Sequence, residues 1–255
     1  MAQELPIVYV ITVCRNAEAL IEETMRSVLG QTYGRLRYVV VDGASTDGTM
    51  TIVRRYGNRL AATVSEPDRG IYDAMNKALG IVRRLEEERR AASPHKDATA
   101  WVNFMNAGDA FADADVLRDM FENNAWTADT WAVGGHTRLI YPDRTEILLA
   151  AGSEATPIML PFCHQSSFIR LSEVYNWTFD DRYLIAADYK VFYQIYYRYG
   201  VAAIRSVDRL IANYRMDGST TFLQLRRAKA EYLAIQSAHK NARWWKEKLK
   251  LLLHL

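Results

Sequence analysis

Four short apolar runs, each followed by a polar turn and then by a helical pattern, constrain this chain more than any other feature. PIVYVITV (6–13), LRYVVV (36–41), LAATVS (60–65) and WVNFMN (101–106) read as strands. The first two are continuous and rich in β-branched residues, as strands buried on both faces of a parallel sheet should be. Helical periods separate them. Leu20, Ile21, Met25, Val28 and Leu29 mark the first helix, with Asn16 placed to cap it. A short helix to about Tyr56, one from about Gly70 and one from about Asp113 to Trp126 follow. This alternation predicts an α/β domain, its central sheet mostly parallel and flanked by helices. In open sheets of this kind ligands bind beyond the carboxyl ends of the strands. That rule gathers TVCRN, DGAST, SEPDRG and NAGD into one expected site.

The second half is less regular. TWAVGGHTRLIY and RTEILLA predict a hairpin around Pro142–Asp143, PFCHQSSFIR contains a short strand, and AADYKVFYQIYYRYG is a helix. RLIANYRMDGSTT reads as a strand and a glycine loop. The charged tract LEEERRAASPHKDA reads as a solvated helix end and a loop closed at Pro94. With no internal repeat and no clear linker, the expected organisation is one domain over 1–220 and a helical extension over 221–255.

Composition narrows the function classes. A net charge of +2 gives no global field for nucleic acid, so no nucleic-acid partner is expected. Two cysteines, Cys14 and Cys163, make no disulfide framework and no C-x-x-C pair, and predict thiols in a reducing compartment. MAQELPIVYVITV lacks a basic leader and a cleavage site, and its apolar run is too short to span a bilayer. The expected location is the cytoplasm.

The first strand is not followed by G-x-G-x-x-G, and the sequence has no P-loop, no G-x-S-x-G elbow and no H-E-x-x-H. What remains is a set of acidic loops at strand ends. Such loops suit a divalent metal, Mn2+ or Mg2+, shared with a substrate diphosphate.

Five blocks in order carry a more specific signal. TVCRNAEALIEETMRSVLGQTYGRLRYVVVDGASTDGT resembles the opening of family 2 glycosyltransferases of the GT-A fold. SEPDRGIYDAMNKAL, NFMNAGD, PFCHQSSFIR and IAADYKVFYQI resemble later blocks of a bacterial branch that makes surface polysaccharides and glycolipids. The similarity covers about residues 6 to 220. It implies an inverting transferase that moves a sugar from a nucleotide-diphosphate sugar, with UDP expected, to a hydroxyl of a glycan or lipid-linked acceptor.

The resemblance assigns roles by position. Thr12, Cys14 and Arg15 would lie along the base and ribose with Ser45. Asp42 would accept from the uracil imide N–H, or else simply form the turn before Gly43. Asp47 suits a helix cap at least as well as a ligand contact. Where the family's common metal loop has Asp-x-Asp, this chain has Asn106, Gly108 and then Asp109. Asp109 is therefore the implied metal ligand, with a turn or cap role as its alternative. Asp188 matches the catalytic base, and a carboxylate there also suits the helix dipole. His164 and Gln165 would contact the acceptor or close the site. Ser219, in YRMDGSTT, resembles part of a late loop that closes over the diphosphate.

SEPDRGIYDAMNKAL adds an amphipathic helix. Ile71, Ala74, Met75, Ala78 and Leu79 share an apolar face. Asp68 and Arg69 would stand on the approach to the diphosphate, and Asp73, Asn76 and Lys77 would form the donor-sugar wall. The bland alternative is an exposed Asp73–Lys77 pair. At the other end, NARWWKEKLKLLLHL suits an interfacial helix on an anionic bilayer at the inner face of the membrane, a helix packed on the domain, or a dimer contact. Two other classes compete with a transferase. A nucleotidyltransferase lacks its G-x-G-T-R-x-x-P loop here. A nucleotide-sugar-binding protein without turnover is disfavoured by the presence of Asp109 and Asp188.

Overall fold

The computed structural model describes residues 4–92, 98–124, 126–172, 176–216, 222–240, 244–246 and 248. All eight residues of β1 (Ile7–Cys14) are buried, and their alternation sorts them onto two faces. Ile7, Tyr9, Ile11 and Val13 pack with Met75, Leu79 and Val82 of α3 (Ile71–Ala92) and with Val191 and Phe192 of α5 (Ala187–Tyr199). Val8, Val10 and Cys14 pack with Ile21, Met25 and Val28 of α1 (Ile21–Leu29), Val53 of α2 (Thr49–Arg55) and Met120 of α4 (Val116–Phe121). The sheet thus lies between two helical layers. Each buried Val, Ile or Leu contributes about 1.5–3 kcal/mol, so neither parity of β1 tolerates a charge.

Nine strands among the described residues form one sheet. Its order is β3 (Ala62–Ser65), β2 (Leu36–Asp42), β1, β4 (Ala100–Phe104), β8 (Ser167–Leu171), β6 (Ala132–Ile140), β9 (Ile204–Arg215) and β5 (Ala110–Phe111), with β7 (Thr145–Leu148) paired to β6. From β3 to β4 the sheet is parallel, as expected. Beyond β4 it is mixed. β8 runs antiparallel to β4 and β6, β6 and β7 form the expected hairpin, and β9 is parallel to β6. Register sets Cys14 beside Asp42 and Asp42 beside Ser65, so three strand ends stand abreast.

Several local expectations are corrected. Asn16 does not cap α1. Its backbone is left-handed (φ 49°), its side-chain oxygen accepts from Thr46 N–H at 2.9 Å, and Leu20 precedes the helix. α4 ends at Phe121, where Asn124 donates to the Asp119 carbonyl at 2.7 Å. The charged end of α3 is not all solvated. Glu86 is buried beneath the Tyr9 hydroxyl and binds Arg89 and Arg90 at 2.7 and 2.9 Å. Burial works to raise the Glu86 pKa, but these partners outweigh it and hold the pKa below the usual carboxylate range. The Pro94 loop lies outside the described residues.

The C-terminal helix α6 (Phe222–Gln236) packs on α5, with the Tyr232 and Tyr189 rings edge-on at 4.3 Å. Trp244 is buried and donates to the Leu233 carbonyl at 2.7 Å, whereas Trp245 is 59% exposed. Leu249, Leu251–Leu253 and Leu255 of the tail lie outside the described residues. Among the described residues no helix is long and apolar enough to cross a membrane.

Candidate active site

The first group of loops meets where β1, β2 and β3 end. Asp42 is fully buried at the tip of β2. Its carboxylate accepts from the Ser45 N–H at 2.9 Å, the Ser45 hydroxyl, the Ser65 hydroxyl at 2.6 Å and the Cys14 thiol at 3.7 Å. The carboxylate is therefore engaged by its own chain, and a uracil imide would have to displace Ser45 or Ser65. Ser65 opens SEPDRG, one of the expected site stretches, but nothing in the sequence marks its hydroxyl as a partner of Asp42.

Burial first, and Asp42 second, push the Cys14 thiol far above its ordinary range, so Cys14 is a neutral packing group rather than a nucleophile. Thr12 is corrected. It is fully buried, and its hydroxyl is bonded to Tyr38 Oη at 2.8 Å and to the Met105 carbonyl at 2.7 Å, away from the cleft. Arg15 is exposed beside Gly43. A Cβ on Gly43 would stand 2.1 Å from Asp68 Oδ2 and 3.4 Å from Arg15 Cβ, so the missing side chain lets the three loops close together. Asp47 takes the capping role: it accepts from Thr49 N–H at 3.0 Å and Glu18 N–H at 3.1 Å.

A second group forms beyond β4. Asn106 Nδ2 stands 2.9 Å from His164 Nε2, and His164 Nδ1 stands 3.3 Å from Asp188 Oδ2. Asn106, His164 and Asp188 thus make one continuous polar chain. Asp188 is the second residue of α5, and its Oδ1 accepts from Tyr189 N–H at 2.7 Å. Gln165 points inward instead of towards an acceptor. It is 2% exposed and donates to Asp109 Oδ2 at 2.9 Å. Asp109 Oδ1 accepts from the Arg215 N–H at 3.1 Å. Burial raises the Asp109 pKa against the lowering effect of these bonds. Asn103, 1% exposed, donates to the Gln165 and Ser167 carbonyls, both at 2.9 Å, and so fixes the His164 turn. A lone Asn inside an apolar strand was the signal for it. Ser219 lies outside the described residues.

The polar stripe of α3 behaves differently from the expected sugar wall. Asn76 is tied to the backbone of Phe179, donating to its carbonyl at 2.8 Å and accepting from its N–H at 2.9 Å. Arg69 bridges Asp73 and Asp181, each at 2.9 Å. Asp73 also accepts from Arg69 N–H at 3.0 Å, and the Arg69 amide and guanidinium together lower its pKa. Lys77 binds the Pro67 carbonyl at 2.6 Å and Glu66 at 3.0 Å, with Asp73 at 3.6 Å. Asp68 accepts from Gly70 N–H at 2.9 Å. Asn76 and Arg69 therefore fasten the segment 179–185 to α3 and the turn before it. Tyr72, on the same helix, donates to the Ile185 carbonyl at 2.7 Å.

The donor set for a metal is thin. Among the described residues no group of three or more His, Cys, Asp or Glu could hold an ion. Each Asp109 oxygen already accepts one internal bond, from Gln165 and from the Arg215 N–H, which leaves one lone pair on each for another partner. Asn106 Oδ1, like Asn103 Oδ1, is buried without a hydrogen-bond partner. An ion here would take most of its oxygens from a diphosphate and water.

Known proteins resemble both the sequence and the fold. Residues 9–84 match the glycosyl transferase family 2 model. Over 180 residues the chain is 30% identical to an uncharacterized glycosyltransferase of Mycobacterium tuberculosis, covering 66% of this chain and 60% of that protein. Over 77 residues it is 40% identical to the putative teichuronic acid biosynthesis glycosyltransferase TuaG of Bacillus subtilis, covering 29% of this chain and 31% of that one. The chain thus spans less than two thirds of the length of these relatives. The mannosyltransferase PcManGT from Pyrobaculum calidifontis, solved with GDP-Man and Mn2+, shares the fold at a TM-score of 0.66 and 21% identity, over 97% of this chain and 70% of that one. Residues 9–84 therefore carry the match to glycosyl transferase family 2, and the fold as a whole is that of GT-A glycosyltransferases.

Proposed function

We propose that this chain is an inverting glycosyltransferase that moves a sugar from a nucleotide-diphosphate sugar, with UDP as the expected nucleotide, to a hydroxyl of a glycan or lipid-linked acceptor in bacterial surface-polymer synthesis. The observation that carries the reading is the Asn106–His164–Asp188 chain beside the nucleotide-side loops. Asp188 Oδ2 takes the proton of the acceptor hydroxyl as that oxygen attacks C1 from the face opposite the diphosphate. The bond between C1 and the diphosphate oxygen breaks, and its electron pair leaves with the nucleotide. No covalent enzyme intermediate is needed, in keeping with a Cys14 thiol that stays neutral. Asn106 donating to Nε2 leaves the imidazole proton on Nδ1, where it points at Asp188 and orients the base.

A divalent ion, Mn2+ or Mg2+, would neutralise charge on the diphosphate when bound, with Asn106 Oδ1 as this chain's contribution. Arg15 and Arg69 supply cationic side chains at the mouth. In this reading residues 1–220 form the transferase unit and 221–255 its extension. The tail is proposed to meet an anionic membrane surface through Trp245 and the lysines near it, and liposome flotation of tail-deleted protein tests that.

Asp188→Asn tests the function. It is expected to lower turnover by roughly 10²–10⁴ while donor binding persists. Full activity in that variant defeats the base assignment. Release of nucleoside diphosphate from a panel of UDP-, GDP- and dTDP-sugars separates turnover from mere binding. Binding with no release from any donor, with or without acceptor, supports the binding-protein alternative.

A further inference from the structure

The helix that carries Asp188 has no side-chain cap of its own: Ala186 stands at its N-cap position. A carboxylate 45 to 47 residues downstream does that work. Glu231, on α6, accepts from Leu184 N–H at 3.1 Å through Oε1 and from Ile185 and Ala186 N–H at 2.9 Å each through Oε2. Arg227, one turn earlier on α6, donates to Oε1 at 3.1 Å. The Glu231 side chain is 11% exposed. Burial alone would raise its pKa, but the three amides and Arg227 prevail and hold it low, so it stays ionised at neutral pH.

The same short segment is gripped from its other side by the Tyr72 hydroxyl, which donates to the Ile185 carbonyl. Gln236, farther along α6, donates to the Tyr189 hydroxyl at 3.0 Å. Residues 184–186 therefore have their three N–H groups held from α6 and the Ile185 carbonyl held from α3. Asp188 follows two residues later, and its distance to His164 depends on where that segment ends.

We infer that Glu231 is a positioning residue for Asp188, so that the C-terminal helix is a working part of the active site. This rests on Asp188 being the base. Misplacing a reacting group by about 1 Å can cost about 10²-fold in rate, and the loss of three amide bonds just before Asp188 is a displacement of that kind.

The test compares Glu231→Ala and Glu231→Gln with Ser237→Ala and Asp188→Asn in the full chain. It reads kcat, donor and acceptor KM, thermal midpoint and amide hydrogen exchange. Glu231→Ala is expected to lower kcat about 10- to 100-fold with donor KM within about twofold, and to speed exchange at residues 184–186 while β1 stays protected. Glu231→Gln keeps acceptor oxygen for part of the set and should fall between Ala and wild type. Ser237→Ala, which removes a hydroxyl bonded only to the Ala234 carbonyl, should leave kcat near wild type. A wild-type kcat in Glu231→Ala overturns the inference, as does a loss that matches the fraction of unfolded protein. Should Glu231→Ala fail to fold, unchanged kcat and unchanged exchange at 184–186 in Glu231→Gln overturn it equally. If Asp188→Asn keeps full activity, the base assignment falls and takes this inference with it. If Asp188→Asn is impaired and Glu231→Ala is not, this inference alone falls.

Discussion

Asn76 separates two accounts of the outer face of α3. As part of a sugar pocket, its loss would weaken donor binding and leave stability alone. As the clamp seen here, its loss strips the Phe179 N–H and C=O of partners at 2.9 and 2.8 Å. Each polar group left unsatisfied costs about 1–3 kcal/mol. The site is half-buried, so water recovers part of this, and Asn76→Ala should cost about 2–4 kcal/mol in all. Phe179 magnifies the effect, because its ring packs on Tyr72, Phe104 and Trp177 at centroid distances of 5.4, 5.2 and 5.7 Å. With a urea m-value of about 3 kcal/mol/M, the unfolding midpoint should drop by about 1 M. Calorimetric titration should find donor affinity within about twofold of wild type. Asn76→Asp splits the two bonds: its carboxylate still accepts from the Phe179 N–H but opposes the carbonyl, so it should not rescue stability. An unchanged midpoint together with lost donor binding would refute the clamp and restore the sugar-wall reading.

Three further outcomes follow from the same geometry. Gly43→Ala places a Cβ 2.1 Å from Asp68 Oδ2, so Asp68 must swing away and release the Gly70 N–H; a thermal melt should record a loss of about 1 kcal/mol, and donor titration a weaker site. Asp180 is held well below the usual carboxylate range by Arg182 first and Lys190 second. Its folded pKa lies below the unfolded value of about 3.9, so its contribution is full above that value and fades as pH falls through the folded one. The stability gap between wild type and Asp180→Asn in urea should therefore be open at pH 6 and shrink at pH 3. It should also shrink in high salt, because Arg182 is 80% exposed. Mn2+ alone should not move the thermal midpoint, since the described residues hold no preformed cage, while Mn2+ with a nucleotide sugar should move it more than the sugar alone. Stabilisation by micromolar Mn2+ without nucleotide would contradict that account of the donor set.

Legibility in the sequence followed the range of the forces involved. β1 and β2 were readable because burial on both faces leaves an unbroken apolar run, and strand-end loops were readable from the parallel architecture they imply. The antiparallel pairing of β8 with β4 and with β6 was not, because it joins residues about 70 and about 35 positions apart and leaves no local mark. Asn16 failed as a cap because an Asn side chain bonds equally well to a neighbouring loop, here at Thr46. The stripe of Arg69, Asp73, Asn76 and Lys77 was correctly placed on one face, yet periodicity cannot say what covers a face. Glu86 stayed hidden for a related reason: a Glu among arginines reads as solvated until Tyr9 is known to lie over it. Glu231 carried no signal, since its partners are backbone amides that any sequence supplies.

The two sides of the site are consequently built on different principles. On one side, Cys14, Asp42 and Ser65 sit on adjacent parallel strands, and the ladder itself fixes their spacing. On the other side, the segment 178–186 has no regular structure, and side chains hold it in place. Asn76 grips it at Phe179, Arg69 at Asp181, Tyr72 at Ile185 and Glu231 at its last three amides before α5. A segment held this way can change its own exposed side chains freely, because most of its anchors bond backbone atoms that every residue possesses. The links from Arg69 to Asp181 and from Lys190 to Asp180 are the exceptions and depend on the residues at 181 and 180. Altered acceptor preference should therefore be reachable through the exposed residues of this segment, while Asn76, Tyr72 and Glu231 stay fixed. Changing those anchors instead should disturb Asp188 and lower the rate for every acceptor alike.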